Sequence, residues 1–137
     1  MGSVPLEEWQ HRAAEIKERF AGSGRPSLFS SNAMADLAPE FAELIQTIAR
    51  GRSYADETLD LKTRALCTVA CLVGLGEPLY IENWVSNAMS VGATRLEIVE
   101  LMVQLFTYIG TPKAVAAFGA AAAAFARVEQ NTGPESL

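Results

Sequence analysis

The amino-acid sequence predicts a single all-α domain of about six helices. Apolar residues recur at steps of three and four along most of the 137 residues, a spacing that places them on one face of each helix. Glycine, proline and capping residues separate these stretches. The sequence contains neither the apolar–polar alternation of a half-buried strand nor the Asn-Gly turn of a β-hairpin.

The first predicted helix is amphipathic and ends in a glycine-rich break. Its buried stripe is Leu6, Trp9, Ala13, Ile16 and Phe20. Residues 21–26 (A-G-S-G-R-P) interrupt the helix, because glycine and proline favour turns. We expect an irregular connection over residues 27–35, so that residues 1–35 form an N-terminal helix and a connecting segment.

The second predicted helix starts within residues 36–39 and opens a helical domain that extends to residue 130. Its buried stripe is predicted to be Phe41, Leu44, Ile45 and Ile48. Gly51 is predicted to end this helix, and residues 52–58 to form a polar loop.

A helical hairpin over residues 60–92 is the predicted centre of the fold. Asp60 caps its first helix, which carries no charge between Arg64 and Glu77 and should be covered nearly all round. Glycines at positions 74 and 76 end this helix, and a glycine at 92 ends the second. Pro78 suits the first position of the second helix, and so short a turn makes the two helices antiparallel.

Two further helices follow the hairpin. Thr94 and Glu97 form a T-x-x-E capping box, which predicts a largely apolar helix over residues 95–109 with Gly110 after it. Thr111 is predicted to cap the last helix, in which alanine dominates and neighbouring helices can approach closely. Residues 131–137 are predicted to form a flexible polar tail.

Composition excludes several function classes. The net charge of −5 argues against nucleic acid or an anionic membrane as the main partner. No uncharged stretch is long enough to span a membrane, and the early Glu7 and Glu8 do not fit a signal peptide. The apolar fraction of 50% is at the upper end for a soluble protein of this size. Several helices are apolar on more than one side and cannot all be buried in so small a monomer, which predicts a homo-oligomer. Cys67 and Cys71 fit reduced thiols in the cytoplasm, and burial in packing is favoured over a redox pair.

Three motifs at fixed separations resemble the carboxymuconolactone decarboxylase family, which is related to the alkyl hydroperoxidase D fold. They are L-D-L-K-T-R-A-L (59–66), V-G-A-T-R-L-E-I (91–98) and Y-I-G-T-P-K-A (108–114). The resemblance implies an all-helical subunit that assembles as a trimer or hexamer. It also implies a small-molecule pocket lined by the hairpin, with no organic cofactor and no metal. We expect association of several copies to complete that pocket.

The positions that carry chemistry in such relatives hold other residues here. By resemblance, Glu77 and Tyr80 replace the two cysteines of the peroxidases, Trp84 replaces a histidine and Ala65 replaces a glutamate. A thiol peroxidase needs an accessible thiolate beside a resolving thiol, so this activity is disfavoured. Trp84 offers an indole N–H, which cannot shuttle protons as histidine does.

The candidate site follows from one face of the second hairpin helix. Steps of three and four place Glu77, Tyr80 and Trp84 on that face. Glu77 would act as acid or base, Tyr80 as hydrogen-bond donor and Trp84 as a substrate-binding wall. The alternatives are that Glu77 only complements the helix dipole and that both aromatic residues only fill the core.

Three further residues complete the candidate set. Arg64 could bind substrate, although an ion pair with Asp60 or with a neighbouring subunit is favoured. Tyr108 could line the pocket or simply pack. His11 is expected to be exposed, but it is the only histidine and could act as a catalytic group over the pocket of another subunit.

These observations predict a cofactor-free lyase, isomerase or cyclase that acts on a small cyclic carbonyl, lactone or polyketide-like substrate. A true lactone decarboxylase, with Glu77 and Tyr80 in place of the histidine, is the first alternative. A non-catalytic oligomer that binds a ligand or supports a complex is the second.

Overall fold

The computed structural model describes residues 4–21 and 33–133, and these residues confirm the all-α prediction. The helices are α1 (Leu6–Ala21), α2 (Ala33–Leu37), α3 (Pro39–Gln46), α4 (Leu61–Leu75), α5 (Pro78–Ser90), α6 (Arg95–Ile109) and α7 (Thr111–Thr132). A π-helical segment, Thr47–Tyr54, continues α3. Over the same residues, no helix combines the length and hydropathy needed to cross a membrane.

Helix α5 lies at the centre of the fold, packed against α1, α4 and α7. The core joins Val69 and Val73 of α4 to Ile81 and Val85 of α5, and Met102 of α6 is fully buried beside them. Helix α7 meets both α5 and α6 through alanines, whose small side chains allow close approach. This packing fixes one face of the α4–α5 hairpin and leaves the other available for a site.

Local capping chemistry sets the ends of the hairpin and of α6, as the sequence predicts. Asp60 Oδ1 accepts a hydrogen bond from the Thr63 backbone N–H at 3.0 Å. The capping box between Thr94 and Glu97 is complete in both directions. Gly76 ends α4 with φ of 75°, in the left-handed region that favours glycine.

The predicted end of the second helix at Gly51 is wrong, because the π-helical segment runs through this residue to Tyr54. A Cβ atom on Gly51 would lie 2.0 Å from the backbone oxygen of Trp9. The glycine is therefore required by the close approach of α1, and not by a turn. Residues 33–35 and 52–54 are likewise helical instead of irregular, whereas residues 22–32 of the predicted break and connection lie outside the described residues.

Several burial predictions are also wrong for the single chain. Phe41, Leu44 and Ile48 are exposed, because α3 and the π-helical segment turn Ala42 and Arg50 inward instead. The thiols of Cys67 and Cys71 are exposed as well. Helix α4 packs through the residues at steps of four from Leu61, namely Ala65, Val69 and Val73, and its opposite face is left open.

Three helix boundaries differ from prediction, namely the end of α4 and both ends of α7. Gly74 lies inside α4, and its carbonyl oxygen accepts a hydrogen bond from Lys113 Nζ at 2.7 Å. Thr111 is the first residue of α7, and Gly110, with φ of 81°, occupies the capping position. Helix α7 continues through Thr132, so part of the predicted tail is helical, while residues 134–137 lie outside the described residues.

Candidate functional site

A cavity of about 280 Å³ lies beside Trp84 between the π-helical segment and the α4–α5 hairpin. The residues that line it are Gln46, Ala49, Arg50, Tyr54, Thr68, Leu72, Tyr80 and Trp84. All of them belong to one chain, and the expectation that association of several copies completes the pocket stays a prediction. The volume is just below the usual range for small-molecule pockets.

The π-helical segment supplies one wall of this cavity. Its backbone hydrogen bonds run from residue i to i+5, so each turn holds more than four residues and side chains four apart stay on one side. Gln46, Arg50 and Tyr54 follow this spacing, and all three face the cavity. The tight contact at Gly51 holds the segment against α1.

An aromatic cluster fixes the indole of Trp84. Tyr54 stacks on Trp84 with ring centroids 5.0 Å apart and an angle of 20° between the rings. Phe20 of α1 meets Trp84 edge to face at 5.3 Å and Tyr54 at 5.6 Å. Trp84 is thus both a core aromatic residue, only 8% exposed, and a wall of the cavity.

Tyr54 and Thr68 form a chain of hydroxyl groups at the cavity wall. The phenol of Tyr54 makes a short hydrogen bond to Thr68 Oγ1, and Thr68 donates its own proton to the Arg64 carbonyl oxygen at 3.1 Å. Because Thr68 has only one proton to donate, Tyr54 must be the donor in the first bond. Burial raises the pKa of Tyr54, against the opposing effect of the Thr68 hydrogen bond, so the phenol is neutral at physiological pH.

Arg50 is the only charged residue among those that line the cavity in the described part of the chain. It is 9% exposed, and its guanidinium donates to Gln46 Oε1 at 2.9 Å. Burial lowers the pKa of Arg50, but a guanidinium remains protonated at neutral pH. The sequence analysis did not identify Arg50, although its spacing of four from Gln46 and Tyr54 was available as a signal.

Two of the predicted site residues, Tyr80 and Trp84, lie together in the cavity. Trp84 brings an indole N–H to the lining, and Tyr80 brings a phenol on a partly exposed side chain. With Arg50, these groups give the cavity three potential hydrogen-bond donors. Such a set can bind an oxygen atom that carries or gains negative charge.

The structure does not bring Glu77, His11 or Tyr108 into this cavity. Glu77 is exposed and directly precedes α5, where its side chain makes no capping hydrogen bond. His11 lies on the solvent side of α1, 3.5 Å from Glu15. Tyr108, near the end of α6, is 82% exposed.

Arg64 pairs with Asp56 and not with Asp60, which corrects the predicted ion pair. Its Nη2 atom lies 3.3 Å from Asp56 Oδ1, and its Nε donates to the Leu59 carbonyl oxygen at 2.7 Å. The guanidinium reaches back along the loop before α4 because both carbonyl and carboxylate acceptors are there. Arg64 thus lines a recess beside Cys67, next to the Trp84 cavity but not within its lining.

Comparison with known proteins identifies a family and a relative. The model of the carboxymuconolactone decarboxylase family matches residues 39–123, a range that includes every residue lining the cavity. An uncharacterized 15.0 kDa protein from the nqo9-nqo10 intergenic region of Paracoccus denitrificans is 31% identical over 100 residues. The aligned region covers 69% of this chain and 74% of that protein.

Proposed function

The chain belongs to the carboxymuconolactone decarboxylase family, and we propose that it is a cofactor-free lyase, isomerase or cyclase whose site is the Trp84 cavity. The proposed substrate is a small cyclic carbonyl compound, a lactone or a polyketide-like compound. The observation that carries this proposal is the grouping of Arg50, Tyr80 and Trp84 around one small cavity.

The donors in the cavity suit reactions in which charge develops on a carbonyl oxygen. When a bond next to a carbonyl breaks, its electron pair can move onto the carbonyl oxygen as an enolate. Arg50 and the N–H of Trp84 would stabilise that oxygen in a cavity that Ala49 and Leu72 line with apolar side chains. Tyr80 would donate the proton that the carbon or oxygen finally takes up.

The lining contains no carboxylate and no histidine among the described residues, and so no strong base. Reactions that begin with proton removal by the protein are therefore less suited to this cavity than decarboxylation or opening of an activated ring. Arg50 could also hold a substrate carboxylate, which favours true lactone decarboxylation as the second candidate. Glu77 has a role in that alternative only if it moves toward the cavity.

A screen of lactones, quinones and polyketide-type compounds by mass spectrometry tests the proposal. We expect the wild-type protein to convert at least one compound, by loss of carbon dioxide or to an isomer, and Tyr80→Phe, which removes the proposed proton donor from a partly exposed side chain, to lose at least about tenfold in rate with its fold retained. Arg52→Gln, on the same π-helical segment but outside the cavity lining, is the control. Absence of turnover across the screen would favour the non-catalytic ligand-binding alternative.

The same proposal includes a trimeric or hexameric assembly in the cytoplasm. Large apolar side chains are exposed on α3, on the π-helical segment and at the α4–α5 turn, including Phe41, Leu44, Ile48, Leu75 and Leu79. Contacts between copies would remove this surface from water. His11 and Tyr108 could then reach a cavity only from another copy.

A further inference from the structure

We propose that Cys67 and Cys71 form a binding site for one monovalent copper ion on the exposed side of α4, with each residue supplying one thiolate ligand. Neither cysteine lines the Trp84 cavity. The site is therefore separate from the proposed active site, and the proposed function does not depend on it.

Both thiols lie on the side of α4 that faces away from the core. The helix packs through its residues at steps of four from Leu61, whereas Cys67 and Cys71 are exposed. Cys67 lines a recess of about 360 Å³ together with Tyr54. Burial raises the pKa of Tyr54, and charge on Cys71 raises it further, so this second thiol also lies near the Tyr54 side chain. The two thiols therefore share one side of the helix.

The spacing of the two cysteines suits a bridging ion better than a disulfide. Both lie inside α4, where residues four apart have Cβ atoms about 5–6 Å from each other. A disulfide needs Cβ atoms about 3.5–4.5 Å apart, so its formation here would distort the helix. A metal–thiolate bond, taking the zinc value, is about 2.3 Å long, so an ion between two sulfur atoms spans up to roughly 4.6 Å. The pair can therefore hold an ion while α4 stays intact.

The number of available ligands selects the ion. Among the residues that the structure describes, no group of three or more histidine, cysteine, aspartate or glutamate side chains could hold a metal. Zinc sites in proteins use three or four protein ligands, which this pair does not supply. Monovalent copper is a soft ion that thiolates favour, and two of them can satisfy it. Binding releases both thiol protons and leaves the copper monovalent, so no electron is transferred.

Titration of the reduced protein with Cu⁺ in competition with bicinchoninate, without oxygen, tests the site. We expect one ion per chain. Cys67→Ser and Cys71→Ser should each weaken binding at least about a hundredfold, because the second thiolate of a chelating pair contributes at least that factor. Both positions are exposed, so we expect both variants to keep the fold, which circular dichroism checks.

Cys71→Ala combined with Leu75→Cys is the matched control. This variant keeps two thiols on α4 but sets them eight residues apart, about 12 Å along the helix axis. Leu75 is 63% exposed, so the relocated thiol stays accessible. We expect the control to bind Cu⁺ as weakly as the single variants do.

X-ray absorption of the copper-loaded wild-type protein provides a measurement that needs no variant. Two sulfur neighbours around each copper ion would support the inference. Three sulfur neighbours, one ion for every two chains, wild-type affinity in the relocated variant, or Zn²⁺ binding as tight as that of Cu⁺ would each overturn it.

These results are independent of the substrate screen. A protein that converts a lactone but holds no copper would retain the proposed function and refute the copper site. Copper binding without turnover of any compound would support the copper site and leave the proposed function without support.

Discussion

Gly51 provides the sharpest test at the scale of single residues. Alanine at this position would place its Cβ 2.0 Å from the Trp9 backbone oxygen, and a backbone atom cannot move aside as a flexible side chain can. We expect Gly51→Ala to lower the free energy of unfolding by about 3 kcal/mol or more, measured by chemical denaturation.

Gly119 is the matched control for that experiment. It lies in the interior of α7, and a Cβ placed there would meet nothing within 4 Å. Gly119→Ala should therefore raise stability by about 0.5–1 kcal/mol, since alanine restricts the unfolded chain. If the two variants had equal stability, the close approach of α1 to the π-helical segment would be wrong.

Tyr54 should make the stability depend on alkaline pH. Burial raises its pKa in the folded chain above the ordinary 10.0, so the unfolded chain loses the proton first. The contribution of protonated Tyr54 to the free energy of unfolding is complete below about pH 10. It declines as the pH rises from there through the pKa of Tyr54 in the folded chain. Thermal unfolding across this range should show the decline, and Tyr54→Phe should reduce it. Tyr108→Phe, which changes an exposed ring, should leave the decline unchanged.

The residues of the site were only partly predictable from sequence. Tyr80 and Trp84 could be identified because their spacing places them on one helix face near the turn of the hairpin. Arg50 was missed despite its spacing of four from Gln46 and Tyr54, because it sits one residue before a glycine that resembles a helix end, and an arginine is rarely buried. Its burial depends on the contact between Gly51 and α1, which no local pattern reveals.

At the scale of elements, the start of α6 depends on two linked interactions. Thr94 Oγ1 accepts from the Glu97 backbone N–H at 3.1 Å, and Glu97 accepts from the Thr94 backbone N–H. Glu97 also meets Lys62 of α4 at 2.7 Å, which lowers the pKa of Glu97 through that side-chain hydrogen bond. The capping box thus joins the beginnings of α4 and α6.

Removal of the Thr94 cap should lower the stability of the protein measurably. Thr94→Ala is expected to lower the free energy of unfolding by about 1 kcal/mol, because it leaves the Glu97 N–H without its side-chain acceptor. Thr107→Ala, late in the same helix, removes a hydroxyl from an exposed interior position and should be neutral or slightly stabilising. An equal loss of unfolding free energy in both variants, measured in urea, would show that the capping box does not stabilise the fold.

Element boundaries were predictable wherever a local signal sets them. Asp60, Thr94 and Gly76 act through hydrogen bonds or backbone angles within a few residues, and their predictions were confirmed. The π-helical segment was missed because Gly51, which predicts a helix end locally, is used for a contact with a distant helix. The ends of the hairpin helices could therefore be predicted from local sequence. The cavity wall opposite the hairpin depends on tertiary packing and could not.

At the scale of the whole molecule, the single chain lines the Trp84 cavity but leaves large apolar side chains exposed. Phe41, Leu44 and Ile48 recur at steps of three and four along α3 and the π-helical segment, and all three are exposed. The same segment carries Arg50 and Tyr54 on its inner side. An interface over the outer side would therefore support the cavity wall from behind.

This arrangement predicts that assembly and ligand binding change together. Phe41→Asp combined with Ile48→Asp places two charges on the exposed stripe, and burial of unpaired charge in an interface is costly. We expect sedimentation to show the wild-type protein as a trimer or hexamer and the double variant as smaller species, with weaker ligand binding in the Trp84 cavity because the π-helical segment loses its support. Gln130→Asp, which adds charge at an exposed position on α7, should change neither property. A wild-type protein that sediments as a single copy would show that the cavity wall needs no interface. A double variant that assembles normally would place the interface elsewhere.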